Sequence, residues 1–466
     1  MLYKICFNKN IKSVDRISVS AMMWLFIYLL TNPQAAQSSP VDSQFEKGIS
    51  TKNLAMNKYT WTLEKLLQNG GQNNPRVSSS LSSLSAADLE RDAAWQAYLP
   101  TPSIQASRND NGQASLVLSV SQTLWSGGRI SGAIDSATGR ALSARATVSE
   151  AQLDIASSII SSFESYLQAS LRQENLSKFE ERLYIYRIRM NNRVASGVSP
   201  ENESQLLDAR IATNASLISL AKEQVNNSLT KLSQLTGVML NTDNLSLISE
   251  IHELPKLEEI LLAAERNNPT LVRLGHEISV AEAEVKQNSA ELYPVFSLVA
   301  QHTIFPGGGG ANKDDSSVAL QMSMSTGSGG SVFRKAEAAQ EKVYALMLNR
   351  DAVMQEMQES IREDYEKITS LNSRMKSYSI NIKAAEGVLA SYERLFIAGK
   401  RSWQDVMNAA RDLLDANLAM SDAIASQTGI YHRLNIYTSG YIWLEGSGTY
   451  NSNIMKMSNN RLVKQK

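Results

Sequence analysis

The chain has 466 residues, with 46 basic and 46 acidic side chains and therefore no net formal charge. That balance excludes the basic excess by which a nucleic-acid binder is usually recognised. The one cysteine, Cys6, lies close to the amino terminus, so the remainder of the chain has neither a disulfide framework nor thiol chemistry.

The amino terminus reads as a secretory signal. Lys4, Lys9, Lys12 and Arg16 form a basic region ahead of an apolar run at 21–30, and Pro33-Gln34-Ala35-Ala36 offers small residues for cleavage. Residues 1–36 are expected to be a signal peptide; the alternative is an uncleaved inner-membrane anchor, for which the apolar run is short. Cys6 precedes the apolar run, so it is not placed to carry a lipid after a signal. No other stretch is long and apolar enough to cross a bilayer as a helix. If the mature chain enters a membrane, it must do so as strands closed into a barrel.

Residues 37–60 are polar and expected to be flexible. A short amphipathic helix follows at 61–68, with Asn69-Gly70-Gly71 as its stop signal, and Asn73-Asn74-Pro75 opens a second helix over 76–98. From Ser103 the period changes to two. Leu116, Leu118, Val120 and Leu124 alternate with Val117, Ser119, Ser121 and Thr123, and a weaker strand at 104–108 precedes them across Asn109-Asp110-Asn111-Gly112. This predicts a β-hairpin over 103–124.

Residues 129–197 then hold no proline. Ile134, Ala141, Val148 and Ile155 stand seven apart, as do Ala137, Ala144 and Ala151, and farther on Leu176, Leu183 and Met190. Heptad spacing over that length predicts a coiled-coil helix of roughly 100 Å. Gly197-Val198-Ser199-Pro200 is a sharp turn, a return helix is predicted over 201–236, and Gly237 caps it.

The pattern then recurs. Asn267-Asn268-Pro269 repeats Asn73-Asn74-Pro75 at an offset of 194, and Pro294 repeats Pro100 at the same offset. After the second hairpin, predicted over 295–325, the offset is 202: Ser126-Gly127-Gly128 returns as Ser328-Gly329-Gly330, and Gly197 as Gly399. The extra residues belong in the glycine-rich hairpin loop around Gly307 to Gly310, since insertions collect in exposed loops. The second long helix is predicted over 332–398, with Ile361, Ile368, Met375, Ile382, Leu389 and Phe396 seven apart, and the second return helix over 403–438. Two repeats, 61–253 and 254–440, are thus followed by a polar tail, 441–466.

The expected fold is mainly α with a small β part: long antiparallel coiled-coil helices and two β-hairpins in tandem repeat. In each repeat the short helix and the return helix together nearly equal the long one, so they are expected to stack end to end against it. Two hairpins give four strands, too few to close a barrel, and isolated hairpins would leave open edges. Several chains must pool their strands. Three would supply twelve, enough for a β-barrel around a lumen, with a helical tube continuing below.

With these features the chain resembles the TolC-like outer-membrane factors. The resemblance covers about Trp61 to Ser439, and rests on Leu124-Trp125-Ser126-Gly127-Gly128-Arg129, on the tandem repeat, and on the stretch from Ala398 through Gly399, Arg401 and Trp403 to Asn408. It implies a homotrimer with a twelve-stranded β-barrel in the outer membrane and a periplasmic α-helical tunnel. It implies contact with outer-membrane lipid, docking to a periplasmic adaptor and, through it, to an inner-membrane ABC or proton-driven transporter, and no cofactor. It assigns Gly127, Gly128, Gly329 and Gly330 to the strand-to-helix junctions, and Gly197, Pro200 and Gly399 to tip turns where an adaptor docks. It also implies a gate at the tip: Asp405 matches an inward carboxylate, with Asn408 at a second position that is acidic in the family. Arg401 matches a basic residue tying neighbouring helices closed, Phe396 an aromatic near the tip glycine, and Glu203 lies near the acidic partner. An Arg401–Glu203 link is expected; the alternative is that these are ordinary solvated charges at helix ends.

Other signals carry no chemistry. His252, His276, His302 and His432 are scattered without metal-ligand spacing. Gly307 to Gly310 lacks the ending and the following helix of a phosphate loop, and Gly399-Lys400-Arg401-Ser402 is likewise no Walker motif, being better read as the tip turn. The expected function is a passive exit duct without enzyme activity. The absence of a lipid-anchor cysteine leans it towards type I protein secretion, with small-molecule efflux as the alternative. From another class, the alternative is a periplasmic coiled-coil adaptor or structural protein.

Overall fold

A computed structural model describes residues 61–108, 114–247, 254–305, 315–325 and 327–438. The expected signal peptide with Cys6, the segment 37–60, the turn at Asn109 to Gly112, His252, the loop at Gly307 to Gly310 and the tail 441–466 lie outside the described residues.

Twelve elements form one succession repeated. The first six are α1 (Leu63–Asn73), α2 (Pro75–Trp95), β1 (Thr101–Arg108), β2 (Ala114–Trp125), α3 (Arg129–Ala195) and α4 (Glu201–Thr236). The second six are α5 (Leu257–Asn267), α6 (Pro269–Ala290), β3 (Val295–Ile304), β4 (Asp315–Ser323), α7 (Ser331–Ile397) and α8 (Trp403–Thr438). The described residues are mostly helical with one small antiparallel sheet. No helix among the described residues is long and apolar enough to cross a membrane.

The heptads become buried seams. On α3, Ile134, Ala141, Val148, Ile155, Leu176, Leu183 and Met190 are all buried, and on α7 so are Ile361, Ile368 and Leu389. α2 and α4 both pack on α3, as α6 and α8 pack on α7. The end of α4 meets the start of α2: the Asn74 side chain, which caps α2, donates to the Leu235 carbonyl at 2.9 Å, and Asn69 donates to the Thr236 carbonyl at 2.7 Å. These amides satisfy carbonyls that a helix end leaves open. The short and return helices therefore line up end to end beside the long one.

One expectation fails locally. Asn69-Gly70-Gly71 does not stop α1, which runs on through Asn73. The glycines permit close approach: a Cβ at Gly70 would lie 2.5 Å from Ile159 Cδ1. Tertiary packing overrides the local turn signal. Gly70→Ala is expected to cost about 1–3 kcal/mol by overpacking, read as an earlier thermal transition in circular dichroism.

Polar ties bind α8 across the repeats. Arg433 reaches Glu164 of α3 at 3.0 Å and Asp364 of α7 at 3.2 Å, and Arg172 of α3 reaches Asp422 at 2.6 Å. His432 is buried beside these ties, and burial pushes its pKa down to about 4. The unfolded chain takes up a proton near the ordinary histidine value of 6.5 that the folded chain refuses. Stability should therefore be complete above that value and fall as the pH drops towards about 4, by about 2 kcal/mol at pH 5. His432→Gln should flatten this slope in thermal melts at pH 7 and pH 5.

The two hairpins are not separate. β2 pairs antiparallel with β3, giving a single sheet of order β1-β2-β3-β4. β1 and β4 are its edges, and both are exposed along their length.

Candidate functional site

The sheet has two chemically different faces. Residues directly paired across strands share a face, and the register runs Pro102–Val120–Ala300–Val318 in one row and Leu298–Leu320 in the next. With Ile104, Leu118, Phe296 and Met322 these form a mainly apolar face, broken by Gln122 towards its helix end and by the hydrogen-bonded His302–Ser316 pair towards the other. The opposite face carries Ser103, Ser119, Gln301 and Ser317 in one row, with Ser107, Ser115, Ser297 and Gln321 nearby. Ser103 Oγ and Ser119 Oγ lie 2.7 Å apart, Ser107 Oγ and Ser115 Oγ 2.8 Å. The apolar face is open: Leu320 is 66% exposed and Val318 72%. Strands of 8–12 residues, apolar on one side and polar on the other, have the length and alternation of membrane barrel strands.

At the helix end of the sheet stands a group of aromatics. Trp125 meets Tyr293 edge-on at 6.2 Å and lies 5.9 Å from Phe296, while Trp95 and Tyr98 are 6.2 Å apart. Trp95, Tyr98, Trp125 and Tyr293 are all exposed. Amphipathic rings of this kind favour the boundary between lipid and water. Here the glycine pairs turn strand into helix. Gly127 and Gly128 have φ of 63° and 100°, Gly329 and Gly330 of 61° and 74°. This is backbone that a side chain disfavours, and a Cβ at Gly127 would also meet Tyr293 Cβ at 2.6 Å.

The far end of the helices is the tip. Gly197 and Gly399 both take φ near 70°, and the amides of Val198 and Lys400 return to the carbonyls of Arg193 and Leu395, the pattern of a glycine-ended helix. Pro200 precedes α4 in extended conformation. Beneath the turns lies an aromatic core. Trp403 meets Tyr186 edge-on at 5.2 Å and Phe396 at 5.4 Å, surrounded by Met190, Leu207, Val406 and Met407. The Tyr186 hydroxyl donates to Glu393. Burial first, and then this bond, hold the phenol well above its ordinary pKa, so it remains a donor.

The tip residues expected to act together are placed differently within one chain. Arg401 lies over the Tyr392 ring at 4.6 Å and reaches Asp405 at 3.7 Å. It forms no ion pair with Glu203, which sits half-buried in the first turn of α4. Phe396 packs on Trp403 and receives the Arg193 guanidinium on its face at 4.5 Å. Asp405 accepts from the Ser402 amide while its own amide donates to Ser402 Oγ, both at 3.2 Å. This is a reciprocal cap of α8, and the Ser402 bonds, with Arg401 adding to them, hold the Asp405 carboxyl below its ordinary range. Asn408 accepts from Gln404 at 3.0 Å. The Tyr186–Glu393 bond and the stacking of Arg193 and Arg401 escaped sequence reasoning. Tyr392 and Phe396 stand one helical turn apart, which was the available sign of a ring ladder. Among the described residues no acidic, histidine or cysteine cluster suits a metal ion.

A family model described as outer membrane efflux protein matches residues 261–438. The alkaline protease secretion protein AprF of Pseudomonas aeruginosa is 24% identical over 286 residues, covering 59% of this chain and 60% of that protein. The outer membrane efflux protein BepC of Brucella suis is 20% identical, covering 55% of this chain and 56% of that protein. The matches thus span somewhat over half the length of these curated relatives. The solved structure of the outer membrane protein VceC from Vibrio cholerae shares the fold with a TM-score of 0.68 at 16% identity, over 81% of this chain and 96% of that one. Over residues 261–438 the chain thus matches the outer membrane efflux protein family, and over most of its length it shares the fold of solved outer membrane channels.

Proposed function

We propose that the chain is the outer-membrane exit duct of a tripartite transport machine. Three copies pool their four-stranded sheets into a twelve-stranded barrel, and the long helices continue it as a periplasmic tunnel. The observation that carries this reading is the sheet itself, apolar on one face, rich in serine and glutamine on the other, with both edge strands unpaired. An open edge demands a partner, and the two faces fit lipid outside and water inside. An adaptor at the tip turns around Gly197, Pro200 and Gly399 and an inner-membrane transporter would supply selectivity and energy, and cargo would pass without chemistry. The tip residues Arg401, Asp405, Asn408, Phe396 and Glu203 would form the constriction that the adaptor opens.

The cargo reading leans to type I protein secretion, because a relative over 59% of the chain is named for secretion of an alkaline protease. Small-molecule efflux is the second reading, favoured by the likeness to an efflux protein. The test of the duct is gel mobility of outer-membrane fractions. A trimer before boiling and a monomer after supports it, whereas a soluble periplasmic monomer overturns it in favour of an adaptor or structural role. Deletion of the gene separates the cargoes: loss of a secreted protein from the medium supports the first reading, and sensitisation to small toxic compounds alone supports the second.

A further inference from the structure

At the helix end of the sheet the chain changes character in a fixed order. A register shift between Thr123 and Trp125 turns Trp125 onto the apolar side, where it pairs with Phe296. Gln122 of that side donates to the Tyr98 carbonyl at 2.8 Å, which brings the end of α2 there too. Phe333 stands in the first turn of α7, 55% exposed. Each helix that meets the sheet thus presents an aromatic at the junction. A layer of charge follows on the helix side. Arg91 stands one turn, about 6 Å, before Trp95, and Arg129 opens α3. Lys286 precedes Tyr293, its Cε 3.9 Å from the place of a Cβ at Gly128, and Arg334 and Lys335 follow Phe333. Apolar face, then rings, then charge is the order in which a phospholipid leaflet offers chains, interface and headgroups. Resting on the duct reading, we infer that this collar binds a zwitterionic aminophospholipid, of the phosphatidylethanolamine kind, in the periplasmic leaflet, and takes it in preference to an anionic phospholipid.

The charge balance decides against an anionic headgroup. Residues 88–92, 129–135, 284–291 and 334–337 together carry five basic and seven acidic side chains. An anionic leaflet is held by clusters of about four to eight Lys or Arg without such an excess of carboxylates. Here a net negative headgroup would meet net repulsion. Most of the collar charges answer one another. Arg91 reaches Asp88 at 2.8 Å and Asp92 at 3.0 Å, Lys286 reaches Asp135 at 2.8 Å, and Arg334 holds Glu337.

What remains is two cations and two carboxylates. Arg129, Lys335 and Glu90 are exposed and Glu291 is half-buried, and none of them has an ion-pair partner among the described residues. Their order is regular. The strands run β1-β2-β3-β4, and the helices joined to them, α2, α3, α6 and α7, pack each on the next. The unpaired charges therefore alternate around the rim: Glu90 on α2, Arg129 on α3, Glu291 on α6, Lys335 on α7. Neighbouring helix axes stand about 8–10 Å apart, a gap that two long side chains and one headgroup can bridge. The phosphate oxygens of an aminophospholipid accept from the guanidinium or the lysine ammonium, and its own ammonium donates to the carboxylate of the adjacent helix. Both are charge-assisted bonds. A glycerol headgroup brings the phosphate but no cation for Glu90 and Glu291.

The experiment uses the full chain purified in detergent, supplemented with dioleoyl phosphatidylethanolamine or dioleoyl phosphatidylglycerol. The temperature at which the trimer dissociates is read from gel mobility without boiling. Phosphatidylethanolamine is expected to raise it more than phosphatidylglycerol, the acyl chains being the same. Arg129→Ala with Lys335→Ala should lose the gain from phosphatidylethanolamine, and Glu90→Gln with Glu291→Gln should turn the preference towards phosphatidylglycerol. Where a variant does not assemble, the unaltered chain decides: lipid retained through purification, read by mass spectrometry, should be richer in phosphatidylethanolamine than the membrane it came from. A trimer that gains as much from phosphatidylglycerol, that retains phosphatidylglycerol preferentially, or that keeps its full gain without Arg129 and Lys335 overturns the collar and leaves the duct standing. No trimer from the unaltered chain in either lipid overturns both.

Discussion

Leu320→Arg is expected to abolish the heat-labile trimer in outer-membrane fractions, and Gln321→Arg, one residue on, to leave it intact. Leu320 lies near the middle of β4, paired with Leu298 on the apolar face and 66% exposed. In a barrel that exposure is to lipid. A guanidinium at the centre of the hydrocarbon costs about 2–4 kcal/mol, and a trimer carries it three times. Gln321 is paired with Ser297 on the opposite face, among serines and glutamines. A guanidinium there faces water, and its effect should be a shift of reversal potential towards anions in planar bilayers. If both substitutions are tolerated, or both destroy the trimer, the assignment of the two faces fails. The contrast between adjacent residues matters more than either result, because a general loss of strand structure would affect both alike.

That contrast was visible in the sequence, since alternation has a period of two and needs no partner to be seen. Heptads were equally plain: Ile361, Ile368 and Leu389 stand seven-fold apart and are buried. Pairing between hairpins was not. β2 and β3 meet across some 180 residues of chain, and nothing local in Leu118 or His302 announces the other. The stop signal at Gly70 was misread because its cause lies in Ile159, on a different helix. At the tip, sequence reasoning was drawn to the charges Arg401, Asp405 and Glu203. The resemblance pointed to Phe396 as well, but nothing in the sequence joined it to Tyr186 and Trp403, which are ordinary heptad or cap residues until three helix segments bring the rings together. The same holds for Glu393, whose role depends on the Tyr186 hydroxyl reaching it from α3.

That aromatic cluster leads to the larger prediction at the tip. Trp403→Ala should cost about 3–5 kcal/mol locally, the range for emptying a large buried aromatic site. Trp403 is 3% exposed and touches both the α3 and α7 sides of the tip through Tyr186 and Phe396. Its loss should let the helix pairs part and raise single-channel conductance or open time in planar bilayers. Trp403→Phe should change little, because the indole N–H is buried without a partner and its removal relieves that burden. Arg401→Ala should have a small effect by comparison. Its pair with Asp405 is long and solvent-screened and so contributes little, and its stacking on Tyr392 adds about 0.5–1 kcal/mol. If Arg401→Ala opens the channel more than Trp403→Ala, charge pairing between subunits holds the tip, and the aromatic core is scaffold. If Trp403→Ala lowers thermal stability but leaves conductance unchanged, the tip is not the constriction. A closure held mainly by non-directional packing within each subunit would suit a duct whose partner must part the helices, because its resistance is spread over a surface rather than vested in one bond.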